Sequence, residues 1–219
     1  MPLEATHLRF ALDLQTQYCI KDIRKYLSGA IYPDSRYATG LDKTITHDDK
    51  FLLPEFADTD FKKGWQTHQI CDLTYDNVRK KLFPDIFPVD YASYNESEWI
   101  KFTAMKIIQD MDDIHFFDLQ SSLNCLDYAD NPNGEAISEI KRYNQIIIDL
   151  YRDKKVITLT EHVKMWLLLK PGISLGKKIQ DKAEEFLNNP EMVRRIKAIY
   201  QEMMASYSEI VRHRLLDKF

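Results

Sequence analysis

Three features of the sequence predict an all-α fold. Only six of the 219 residues are glycine, well under the ~7% usual in globular chains, and helix interiors tolerate glycine poorly. Apolar residues recur at three- to five-residue steps rather than alternating. Cap and turn signals, Asn133-Gly134 and Asn189-Pro190 among them, stand where those periodic runs begin.

Taken in order, Leu8, Ala11, Leu12 and Leu14 start a first helix with His7 at its opening, resuming through Ile20, Ile23 and Leu27. A second long segment runs from about Thr59 to Leu82, with Phe61, Trp65, Ile70, Leu73 and Val78 apolar. Asn95 to Leu126 reads as one long periodic stretch carrying Trp99, Phe102, Met105 and Ile108. After the Asn133-Gly134 turn, Ile137, Ile140 and Ile147 mark another helix. Thr158 or Thr160 can cap a short helix holding Val163, Trp166 and Leu167, which Lys170-Pro171-Gly172 breaks. The last helix opens at Asn189-Pro190 and keeps Met192, Ile196, Ile199, Met203 and Ile210 on one stripe. Val156 to Thr160 is the single β-like run. Two irregular segments, Ile31 to Pro54 and Phe83 to Ser93, read as long loops, and such loops often carry function. No repeat divides the chain, so residues 1–219 read as one multi-helix domain.

Composition sets limits on function. The chain is 44% hydrophobic and 29% charged, with a net charge of −4. That balance supports a sizeable core and gives no basic field for nonspecific nucleic-acid binding. Cys19, Cys71 and Cys125 are scattered, with no CxxC spacing, and read as buried free thiols in a reducing compartment. The N-terminal MPLEATHLRFALDL lacks the charged-then-apolar order of a secretory signal. No apolar run approaches the ~20 residues of a membrane span. A cytoplasmic protein is the expectation, and a homo-oligomer is compatible with the sequence.

The chemistry concentrates in the first third. His68 and Asp72, four residues apart in the helical stretch GWQTHQICDLTYD, share one helix face. His7 precedes them, and the segment between holds Asp34 and His47. Singly, each has an ordinary reading: a helix-start residue, a turn aspartate after Pro33, a loop histidine, a surface i,i+4 pair. By helical spacing His68 and Asp72 can share one divalent ion.

Their order carries a resemblance. THLRFA, SGAIYPDSRY, a Thr-His pair and GWQTHQICD, over roughly the first 80 residues, resemble the zinc-dependent phospholipase C and single-strand nuclease superfamily. That resemblance implies an all-α domain of the phospholipase C type with long functional loops. It implies that Asp34, His47, His68 and Asp72 form one metal site, with Asp72 bridging toward His7 at a second ion. It also gives Asp34 and Asp72 catalytic roles. The implied activity is hydrolysis of a small phosphorylated substrate by metal-activated water, with zinc favoured and iron, manganese or nickel also suited to the donors. Arg36 and Lys43 are candidates to steady the phosphate. The family's later ligands have no counterpart at its spacing. Asp76 and His115 are the candidate additional ligands, and one or two ions are expected rather than three.

Two other readings compete. His47-Asp48 is a literal HD dipeptide, and an HD-type phosphohydrolase would combine it with His7 and with Asp72 or Asp112. A helical metal-binding or interaction protein without catalysis is the third, with Met203, Met204 and aromatic residues such as Trp99, Phe116, Phe117 and Tyr128 as a partner surface or, equally, as core.

Overall fold

A computed structural model describes residues 3–87, 95–169 and 175–217. Its α-helices are, in chain order, α1 (Glu4–Leu14), α2 (Ile23–Ile31), α3 (Arg36–Thr39), α4 (Lys43–Thr46), α5 (Asp60–Leu82), α6 (Glu96–Asp113), α7 (Leu119–Leu123), α8 (Ile137–Tyr151), α9 (Leu159–Leu169), α10 (Gly176–Leu187) and α11 (Pro190–Leu216). Among the described residues there is no strand, so the predicted all-α class holds. None of these helices is long and apolar enough to cross a membrane.

Local chemistry explains where the helices start. Thr59 accepts from Lys62 N at the head of α5. Asn95 and Glu98 form a reciprocal capping box on α6. Thr158 does the same with Glu161 ahead of α9, so of the two threonines it is Thr158 that caps. Asn189 accepts from Met192 N with Pro190 in the first turn of α11, and Gly134 turns at φ +79° before α8.

Two apolar cores flank α1. Leu8 and Ala11 face one built from α2, α8 and α9, including Tyr143, Ile147 and Met165. Phe10 and Leu14 face the other, built from α5, α6 and α11, including Tyr75, Met105 and Ile199. Both faces of α1 are therefore buried, and each large side chain taken out of water contributes on the order of 1.5–3 kcal/mol.

The closest helix contact joins α2 to α5. A Cβ at Gly29 would stand 2.0 Å from Phe61 O, and one at Gly64 would stand 1.9 Å from Tyr26 O. Only glycine lets the two backbones meet this way. Tyr26 adds a bond across the same junction, within 3.1 Å of Thr67 Oγ1.

Several local expectations need correction. Ile31–Pro54 is a string of short helical turns rather than a loop: α3, α4 and 3₁₀ turns at Tyr32–Ser35 and Asp49–Leu52, with another at Pro54–Phe56. Asp42 and Asp48 cap two of them. The first helix begins earlier than His7, which lies inside α1. Asn95–Leu126 is two helices, because Asp118 caps a new one by accepting from Ser121 N. Of the three cysteines only Cys71 is buried; Cys19 is exposed, and Cys125 is partly so. Met203 is core, whereas Phe116 is exposed. The Lys170-Pro171-Gly172 break and residues 88–93 of the second loop lie outside the described residues.

In an ordinary helix interior Gly→Ala stabilises by about 0.8–1 kcal/mol. At Gly64 the sign should reverse, because the added methyl meets backbone rather than a flexible side chain. Gly64→Ala is expected to lose about 1–3 kcal/mol in denaturant unfolding. A neutral or stabilising result would show that α2 and α5 can separate without cost.

Candidate metal centre

Five of the sequence-predicted residues come together. His68 Nε2 lies 3.2 Å from His47 Nε2 and 3.7 Å from Asp72 Oδ2. His47 Nε2 is 3.4 Å from that same Asp72 oxygen and 3.6 Å from Asp34 Oδ1. His7 Nε2 stands 3.5 Å from the other Asp72 oxygen, and its ring stacks on His68 with centroids 3.8 Å apart. Asp72 thus faces His47 and His68 with one oxygen and His7 with the other.

Each side chain is placed by identifiable contacts. The α2–α5 junction sets Ala30 O 2.7 Å from His68 Nδ1, which leaves Nε2 to point into the cluster. Asp34 sits in the 3₁₀ turn that directly follows α2. The segment before His47 is tied to α5 through one carbonyl, Thr46 O, which accepts from both Trp65 Nε1 and Gln69 Nε2 at 2.9 Å. Thr46 Oγ1 then lies 2.8 Å from His47 Nδ1, orienting that ring.

His7 depends on a longer-range device. Leu3 stands at the N-cap of α1 and offers no side-chain acceptor. Asp110 of α6 serves instead, its Oδ1 accepting from Ala5 N at 2.9 Å and Thr6 N at 3.2 Å. Its other oxygen accepts from Tyr151 OH and faces His162 Nε2 at 2.9 Å. Asp113 fixes the same turn, accepting from Thr6 Oγ1 and Arg9. Burial raises the Asp113 carboxyl to about 7.

The donor chemistry fits a cation. Both His7 nitrogens, Asp34 Oδ1 and Asp72 Oδ1 are buried without a hydrogen-bond partner, a rare condition for buried polar atoms. Two ligands about 2.1 Å from a tetrahedral ion stand about 3.4 Å apart. The observed separations of 3.2 to 3.7 Å bracket that value. Burial, reinforced by the neighbouring imidazoles, holds His7 and His47 well below the usual histidine range, so both rings keep a lone pair to donate. Burial also lifts Asp34 to about 6. A satisfied core histidine network would have hydrogen bonds where these residues have orphan atoms.

The cluster opens on one side. His47 and Asp72 line a pocket of about 530 Å³, together with Arg36 and Lys43, the two candidate phosphate ligands. The two candidate additional ligands, Asp76 and His115, are not among the converging donor groups of the described residues. Asp76 reaches the pocket, but its carboxylate pairs with Arg79 and with Lys80 at 2.6 Å. His115 is exposed in the turn after α6 and joins no group of converging donors among the described residues. Asp48 caps a turn through Lys50 N, and Asp112 pairs with Lys197, so neither HD partner turns toward the cluster. Asp110 and the pocket cations Lys80 and Lys106 were not singled out from sequence. The leucine at the α1 N-cap was the one available signal for Asp110.

No protein-family model matches the chain, and no curated protein or solved structure matches it.

Asp110→Ala would strip two helix amides, a tyrosine and a histidine of their shared buried acceptor. It is expected to cost about 3–5 kcal/mol in unfolding free energy, read by chemical denaturation. A loss below about 1 kcal/mol would mean that α1 holds its place without this carboxylate.

Proposed function

We propose that this chain is a metal-dependent phosphoester hydrolase of the zinc phospholipase C type, holding one or two divalent ions. The observation that carries the reading is two groups of converging donors that share His68, His7 with His68 and Asp72 and Asp34 with His47 and His68, with orphan donor atoms and with His47 and Asp72 opening on a pocket. Asp34, His47, His68 and Asp72 would hold one ion, and His7 with the second Asp72 oxygen would help hold another. Zinc suits three imidazoles and two carboxylates best, with iron, manganese and nickel as alternatives. A bound ion supplies Lewis acidity toward water and toward phosphoryl oxygens.

The remaining work falls to the chain's own residues. Asp72 and His47 present the open side of the cluster to the pocket, so a phosphoester enters there. Arg36 stands beside it with a buried Nε that has no partner, while its terminal nitrogen donates to Tyr37 OH at 2.7 Å. That geometry leaves the guanidinium a donor for a phosphoryl oxygen. Lys43, exposed on α4, adds positive charge at the rim. Leu52, Leu73 and Phe102 form the apolar part of the wall and limit water. Asp34 and Asp72 remain the candidate catalytic carboxylates, because they contribute the cluster's acceptor oxygens.

Elemental analysis of protein purified without added metal is expected to find about one to two ions per chain, with chelation lowering the melting temperature. Asp34→Asn and His68→Ala should lose metal and cut turnover of p-nitrophenyl phosphate or its diester by at least about 100-fold. Asp48→Asn should change neither. Protein without stoichiometric metal would overturn the reading. Metal with no turnover of either ester under any divalent ion would favour the non-catalytic metal-binding alternative.

A further inference from the structure

The pocket beyond the cluster carries a charge pattern that a single phosphate does not use. In a chain of net charge −4, four cations, Arg36, Lys43, Lys80 and Lys106, line this one pocket beside three aspartates, Asp72 of the cluster, Asp76, and Asp49, which pairs with Arg214. Arg36 is beside Asp34, whose carboxyl it stabilises in the charged form, and Lys106 acts electrostatically on His7. These two therefore belong to the cluster end. Lys80 does not. It is on α5 eight residues after Asp72, which places its backbone about 12 Å farther along the helix axis, while its ammonium folds back to Asp76.

Residues 69, 72, 73, 76 and 80 of α5 all line the pocket. That spacing is one face of a helix, so cluster and Lys80 lie along a single trough. The opposite wall is α6, which contributes Trp99, Phe102 and Lys106, three residues again on one face. Phe102 packs on buried α5 residues beside that stripe, its ring 5.9 Å from that of Tyr75 and 4.6 Å from the Arg79 guanidinium, and lines the pocket between the levels of Asp72 and Lys80. Trp99 is half-buried on the same wall. The trough thus has an anion-attracting end, an aromatic middle and a second cation.

Lys80 is also available for exchange. Its ammonium pairs with Asp76 at 2.6 Å, but both side chains are more than a third exposed, and such pairs are weak. Asp76 keeps Arg79 as a partner if Lys80 turns to a ligand.

We propose that the trough takes a small molecule with two anionic groups up to about 12 Å apart, a phosphoryl group at the His/Asp cluster and a second phosphate or carboxylate at Lys80 once that side chain leaves Asp76, with an apolar or planar link against Trp99 and Phe102. This rests on the hydrolase reading for its first anion only. The second subsite stands on Lys80 and the trough itself.

Phosphonates test it, because they resist hydrolysis and report binding whether or not the protein is a live enzyme. Octane-1,8-bisphosphonate, 9-phosphonononanoate, octylphosphonate and ethane-1,2-bisphosphonate are titrated calorimetrically into the zinc-supplemented protein and its Lys80→Met variant. The bisphosphonate with the long link is expected to bind at least tenfold tighter than octylphosphonate. Lys80→Met should bring the two within about twofold of each other, with metal content and octylphosphonate affinity unchanged. The carboxylate compound ranks with the bisphosphonate if Lys80 needs only a charge, and below it if a phosphate is required; both orders support the subsite when both compounds exceed octylphosphonate. Equal binding of octylphosphonate and octane-1,8-bisphosphonate would overturn the proposal. So would an advantage that survives Lys80→Met, or ethane-1,2-bisphosphonate binding as tightly as the octane compound. Protein that takes up no metal but still shows the Lys80-dependent advantage would end the hydrolase reading alone, and protein that shows neither would overturn both.

Discussion

The structure depends on backbone contact between α2 and α5. Gly29 and Gly64 remove the side chains that would hold these helices apart, and each faces a carbonyl of the other helix. Helices with side chains at the contact sit about 8–10 Å apart, and at that separation Ala30 O could not reach an imidazole on α5. Here it lies 2.7 Å from His68 Nδ1. The same contact delivers Asp34, in the turn that continues α2, to the level of His68 and Asp72. Two residues without side chains thereby decide where the candidate ligands meet.

The other requirement is that α1 be held by something other than its own sequence. Its first turn has no local cap, and the orphan amides go to Asp110, more than a hundred residues away. Burying carboxylates such as Asp110 and Asp113 is costly unless every lone pair finds a donor. Tyr151, His162, Thr6, Arg9 and Gln109 supply those donors. The network belongs to the wall between the two apolar cores, where α1 passes with both faces buried. Its role is to fix the rotation of α1 so that His7 stacks on His68.

What sequence could show follows from the range of each interaction. The helix type, the caps at Thr158 and Asn189 and the Gly134 turn are local and were legible. So was the His68/Asp72 pair, because helical spacing alone sets its face. His7, Asp34 and His47 were legible as candidates only through their order and resemblance, since their convergence comes from the α2–α5 crossing and from Thr46 O bridging to α5. The segment Ile31–Pro54 misled because short turns capped by Asp42 and Asp48 leave no apolar period to read. Asp110 and Lys80 are partners at long range or across a trough, and neither spacing nor composition points to them.

Asp76 condenses the difference between pattern and geometry. By position it is where the resemblance would want another ligand, and it does face the pocket. Yet Arg79, fully buried, and Lys80 lie three and four residues on, the spacing at which helix side chains meet. Asp76 pairs with the buried Arg79 guanidinium, and taking a counter-charge from a buried cation costs more than an exposed ion pair returns. Asp76 is therefore held by Arg79, and its weaker hold is on Lys80. Under the proposed reading, a position where a third metal site would need a ligand keeps a cation in the trough instead. Positive charge farther from the cluster is then supplied by a side chain rather than by an ion.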